Sequence, residues 1–82
     1  MSREEIIAEL NGIFKSVFNN QGIRISETSK AAEIDEWDSL NHAALIVAIE
    51  EHFQVKFKLA ELMDFNDVGK ITTALEMKLP KG

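Results

Sequence analysis

Three stretches of this 82-residue chain place apolar residues at steps of three and four, the period of an α-helix, and no two stretches alternate as a strand pair would. The first carries Ile6, Ile7, Leu10, Ile13, Phe14, Val17 and Phe18 on one face. Ser2 with Glu5 has the form of a capping box ahead of it, and Asn19-Asn20-Gln21-Gly22 supplies stop chemistry after it. A second helix is expected from Asp38-Ser39 to about Phe53, since both residues are good N-caps. A last one, capped by Asn66 or Asp67, carries Val68, Ile71, Ala74, Leu75 and Leu79, with Pro80 marking its end. Val55, Phe57 and Leu59 do alternate, but a lone strand has nothing to pair with, so they read as an extended connector. Ala60 to Met63 forms about one helical turn. The expected fold is all-α, a small bundle of three main helices plus one short helix. A long loop, residues 19–37, joins the first two and is pinned to the core by Ile23, Ile25 and Ile34.

A chain this short with 45% hydrophobic residues supports one domain over 1–82, without a second core. It has no cysteine, so disulfides, a thiol nucleophile and a thiolate zinc site are excluded. Fourteen acids against nine bases give a net charge of −5, which makes nucleic acid and anionic membrane poor partners. The N-terminus runs directly into an amphipathic pattern, and the longest apolar run, Ala43 to Ile49, is too short to cross a bilayer. A cytoplasmic monomer is expected. The acids are unevenly spread: Glu33, Asp35, Glu36, Asp38, Glu50 and Glu51 lie between Lys30 and Lys56 with no Lys or Arg among them.

The second helix is apolar on more than one face. Leu45, Ile46, Ile49 and Phe53 make a stripe, while Leu40, Ala43, Ala44, Val47 and Ala48 carry the apolar surface most of the way round. Either the helix is buried on nearly all sides or part of it is offered to partners. His42 and His52 are about 15 Å apart along that helix, too far to share a metal ion. Asp64, Asn66 and Asp67 lack the spacing of a calcium loop and read as caps. Ser39 on local pattern is a cap as well. A hydrolase reading would need a base and an oriented third group beside it, and His42 alone, three residues on, is a poor substitute. The same helix start has free N–H groups and a dipole that would stabilise a phosphate placed on Ser39.

Glu36-Trp37-Asp38-Ser39-Leu40 followed by Leu45 to Phe53 resembles the Asp-Ser-Leu attachment site and second helix of the bacterial acyl carrier proteins. The resemblance runs over essentially the whole chain, through the connector Val55-Lys56-Phe57 to the capped helix at Asn66-Asp67-Val68. It implies a carrier, not an enzyme. A phosphopantetheinyl transferase would move phosphopantetheine from coenzyme A onto Ser39, and the arm's thiol would hold acyl groups as thioesters between separate enzymes. Asp38 would help the transferase position its metal ion, Leu40 would be an apolar docking contact, and Glu50 and Glu51 match acids late in the family's recognition helix. The acidic face would meet basic docking surfaces on acyl-loading and acyl-processing enzymes.

The chain departs from the fatty-acid-synthesis pattern at two positions, where commonly acidic residues are replaced by Asn41 and Ala44. With Trp37 and His42, this points to a stand-alone carrier of a specialised pathway whose partner surface includes Asn41, His42, Ala44, Val47 and Met63. Trp37 reads either as a hydrophobic staple before the Asp38 cap or as a partner contact. His42 reads as a surface residue whose imidazolium would pair with the arm's phosphate. Ala43, Ala44 and Ala48 read either as room for an acyl chain or as ordinary small residues at helix crossings, and Leu62 and Met63 as the closure of an acyl pocket. Two alternatives stand beside the acyl carrier: an aminoacyl or peptidyl carrier of a nonribosomal-type pathway, and an unmodified helical adaptor that binds proteins through its second helix.

Overall fold

The computed structural model describes residues 1–79, and the expected stop at Pro80 lies outside them. Four α-helices follow in order: α1 Arg3–Val17, α2 Ser39–Phe53, α3 Leu59–Met63 and α4 Val68–Lys78. The all-α expectation therefore holds, with three long helices and one short one.

α1 begins at the anticipated capping box. The Glu5 N–H donates to Ser2 Oγ at 3.1 Å, and the Ser2 N–H donates back to Glu5 Oε1 at 2.8 Å. Its end falls in the expected stretch and is set by Asn19, which takes a left-handed conformation at φ 50°. Its N–H reaches Ser16 O and the Asn20 N–H reaches Lys15 O, which closes the last turn as a Schellman motif. Asn tolerates this conformation better than most residues with a Cβ.

α1 packs against both α2 and α4. Ile6, Leu10, Phe14, Leu45, Ile49, Val68, Ile71 and Leu75 are fully buried where the three meet. Thr72 is buried too, and its hydroxyl donates to Val68 O at 2.8 Å, so the position costs no orphaned polar group. The apolar width of α2 resolves into two faces. Leu45, Ile46, Ile49 and Phe53 are buried, while Leu40, Ala43, Ala44 and Val47 are exposed. Ala43 and Ala44 therefore cannot line an internal acyl pocket; Ala48 alone of the three packs onto the core.

The long loop is held at both of its ends. Ile23 and Ile25 are buried as expected, and Ile34 is partly buried against the core. Asn11 in α1 clamps the loop backbone in both directions, donating to Ile25 O at 3.1 Å and accepting from the Ile25 N–H at 2.8 Å. Farther on, a 3₁₀ turn at Ala31–Glu33, which the sequence pattern did not reveal, is stitched to the start of α4. Ala31 N–H donates to Asn66 O and Val68 N–H to Ser29 O, each at 2.9 Å. The approach is so close that a Cβ on Gly69 would sit 2.9 Å from Glu27 O.

Candidate functional site

Asp38, not Ser39, is the N-cap of α2. Its Oδ1 accepts the Asn41 N–H at 2.8 Å, and the chain turns helical at the next residue. Ser39 is thereby the first helical residue, exposed to solvent, and its hydroxyl makes no hydrogen bond among the described residues. It stands on the rim of an open groove of about 440 Å³ lined by Ala31, Trp37, His42, Leu62, Met63 and Phe65. Leu62 and Met63 line this groove with Ser39; Leu62 packs on the core, and Met63 is 81% exposed at the lip.

Trp37 and His42 occupy the two positions of a hydrophobic staple, one residue before the cap and four after it. The contact between them is polar. Trp37 Nε1–H donates to His42 Nδ1 at 2.8 Å. The rings lie within 17° of coplanar with centroids 6.1 Å apart, so they meet edge to edge through that bond and not face to face. The indole is only 5% exposed and stands edge-on to Phe14 of α1, with centroids 5.1 Å apart. Trp37 is therefore a core residue, and the partner-contact alternative falls away.

For His42 the consequence is chemical. With Nδ1 accepting from the indole, the ring proton must reside on Nε2, and the imidazole is neutral while the bond is made. In this arrangement the half-buried ring offers its Nε2–H as a donor. Its one lone pair is engaged, so while that bond is made His42 cannot deprotonate Ser39.

Asn41 also has a structural task. Its side-chain amide donates to Glu36 O at 2.9 Å, tying the end of the loop to the first turn of α2. A carboxylate there could not donate, which accounts locally for the missing acid. The acids before and after Ser39 are similarly engaged. Glu33 accepts the Lys30 N–H, Glu36 accepts Asn20 Nδ2, Asp38 caps α2, and Glu50 Oε2 accepts the Phe57 N–H at 2.9 Å, which fastens the connector. Among the described residues, Asp35 and Glu51 are the two acids of this window whose carboxylates make no such bond. Exposed apolar residues of α2 are Leu40 (82% exposed), Ala43, Ala44 and Val47, and Met63 is exposed across the groove.

His52 lies far along α2 and bonds Glu9 Oε1 of α1 at 2.8 Å, a helix-to-helix tie. Among the described residues no cluster of three or more His, Cys, Asp or Glu could hold a metal ion, and no helix is long and apolar enough to cross a membrane. Asp67 caps α4 by accepting the Lys70 N–H at 2.7 Å, and Asp64 pairs with the Lys70 ammonium, in keeping with the structural reading of that cluster.

Comparison with known proteins places this geometry. Residues 5–75 match a family model described as a phosphopantetheine attachment site. The chain is 31% identical over 78 residues to an acyl carrier protein of Thermotoga maritima, covering 95% of this chain and 96% of that one. Its fold superposes with a TM-score of 0.82 on the solution structure of a holo acyl carrier protein from Geobacter metallireducens, at 38% identity over 88% of this chain and 83% of the other.

Proposed function

Because the chain belongs to the acyl carrier protein family, non-enzymatic carriers that bear covalent phosphopantetheine, we propose that Ser39 is the residue that bears the arm in this one. The observation that carries the assignment is the Ser39 hydroxyl itself: exposed, unbonded within the chain, at the first position of α2 and on the rim of a groove along which an arm can lie. A hydroxyl meant only to cap would be bonded to an N–H of the first turn, and Asp38 performs that task.

When bound, the group supplies a thiol that holds an acyl chain as a thioester, the sulfur chemistry that this cysteine-free sequence lacks. In the attachment step the Ser39 oxygen bonds to the phosphorus proximal to pantetheine as the pyrophosphate P–O bond of coenzyme A breaks. Adenosine 3′,5′-bisphosphate is the leaving group. The serine proton goes to a base on the transferase, since His42 has no free lone pair. Asp38 has one oxygen committed to the Asn41 N–H and the other left to help the transferase hold its metal ion.

We infer further that the carrier serves a specialised pathway. What supports this is the front half of α2, where Asn41 is drawn back to Glu36 O and Ala44 is exposed, so that Leu40, Ala44 and Val47 meet a partner with no acid between them. Glu51 and Asp35 supply the freely placed negative charge for basic docking surfaces, and the chain acts as a cytoplasmic monomer. The test is co-expression with a broad-specificity phosphopantetheinyl transferase followed by intact-mass measurement. One added arm is expected, lost in Ser39→Ala. An unchanged mass with several transferases would instead favour an unmodified adaptor.

A further inference from the structure

We propose that the Trp37–His42 pair is a preset donor for the phosphodiester of the arm. Trp37 fixes His42 in the tautomer that keeps a proton on Nε2, and that N–H positions the phosphate so that the arm leaves Ser39 along the groove beside Leu62 and Met63. The inference rests on the reading that Ser39 bears the arm.

Four observations lead to it. His42 is one turn beyond Ser39 on the same side of α2, the spacing at which helical side chains are neighbours, and both line the same groove. Its Nδ1 is engaged by an indole that is itself buried against Phe14, so the ring's orientation is set by the core and not by solvent. Nε2 makes no hydrogen bond among the described residues, which leaves a directed donor without a partner. Finally, the first turn of α2 is poorer in donors than a bare helix start. Asp38 already takes the Asn41 N–H, and its carboxylate adds a negative charge next to the place where a phosphodiester would sit. A neutral imidazole N–H offsets part of that repulsion and fixes one direction of approach.

A purely structural staple would hold Trp37 and be indifferent to the arm, and this difference can be measured. In protein labelled with 15N-histidine, at a pH above the ordinary histidine range, long-range 1H–15N spectra report which ring nitrogen carries the proton. The expected result is Nε2–H in both apo and holo forms, with the Nε2 resonance moved on addition of the arm and Nδ1 nearly still. The 31P resonance of the holo protein should shift in His42→Ala, return toward the wild-type position in His42→Gln, whose amide can donate, and shift partway in Trp37→Phe, which frees the ring without emptying the core. Intact mass is read first on every sample: wild-type protein that gains no arm refutes the Ser39 reading and this inference with it, and spectra of the variants are compared only for fully modified protein, so that loss of the contact alone is what they report. With the arm confirmed, identical His42 nitrogen shifts in apo and holo protein overturn the proposal. That comparison needs no variant to fold.

Discussion

Asp38 is asked to do two things, to cap α2 and to present a charge beside Ser39, and two substitutions separate them. In Asp38→Ala the acceptor for the Asn41 N–H, now at 2.8 Å, is gone. Loss of such a cap costs about 1 kcal/mol, within a range of about 0.5–2. For a domain of this size, about 1 kcal/mol lowers Tm by about 4–8 °C. Asp38→Asn keeps a side-chain oxygen of equal capping strength and loses only the favourable charge at the exposed helix start, about 0.3 kcal/mol or about 1–2 °C. Thermal unfolding followed by circular dichroism gives the two Tm values, and the rate of arm addition by a phosphopantetheinyl transferase, read by intact mass, gives the second function. Asp38→Asn should fold almost as well as wild type yet gain the arm slowly; Asp38→Ala should be poor in both. An Asn variant as unstable as the Ala variant would refute the cap as the source of stability. An Asn variant modified at the wild-type rate would refute a role for the charge.

Glycine substitutions in two helices should have opposite signs. Gly69→Ala drives a Cβ to 2.9 Å from Glu27 O and should lose about 1–3 kcal/mol in urea titration, whereas Gly12→Ala meets nothing within 4 Å and should gain about 1 kcal/mol of helix propensity. The Glu61 carboxyl is held below the usual glutamate range by the Lys58 N–H and then by the Lys78 ammonium, and Glu5 is held low by the Ser2 N–H. A depressed acid contributes stability that is present above its unfolded-state pKa and lost as pH falls through its folded one. Urea midpoints should therefore be level near neutrality and drop under acid, with a shallower drop in the Glu5→Gln, Glu61→Gln double variant. Leu40→Ala, at a side chain 82% exposed, should leave Tm within about 2–4 °C, while arm addition or acyl loading slows by at least about fivefold if Leu40 is a docking anchor.

The helices were legible because their cause is local. Ser2 with Glu5, Asp67 ahead of Val68, and the apolar steps of α1 and α4 each fix an element by interactions within a few residues, and each appears where the pattern put it. What escaped the pattern depends on residues far apart in sequence. Asn11 is an ordinary polar residue of a helix until the Ile25 backbone is brought against it. The 3₁₀ turn at Ala31–Glu33 owes its position to Asn66 and Asp67, more than thirty residues on. Trp37 and His42 had the correct staple spacing, but spacing does not say that the contact is a hydrogen bond, and the bond decides which nitrogen is protonated. The ambiguity of α2, buried all round or apolar on an offered face, was likewise settled only by which sides α1 and α4 left uncovered.

The same logic alters the meaning of the acidic window. Read as composition, six acids between Lys30 and Lys56 form a docking face. Read as structure, four of them are fasteners: Glu33 for the 3₁₀ turn, Glu36 for the end of the loop, Asp38 for α2 and Glu50 for the connector. Accepting a hydrogen bond does not remove a carboxylate's charge, so all six still contribute to the long-range field that steers a basic partner inward. It does fix where the charge points, and a carboxylate aimed at its own backbone is a poor close-range partner. On the docking proposed above, close contact would then fall to the uncharged front of α2 and the lip of the groove, at Leu40, Ala44, Val47 and Met63. Long-range attraction with a small apolar contact gives fast encounter without slow release. A carrier that visits several enzymes needs that combination, and under the proposed docking the acids of this chain would serve it while also fastening the loop that leads to Ser39.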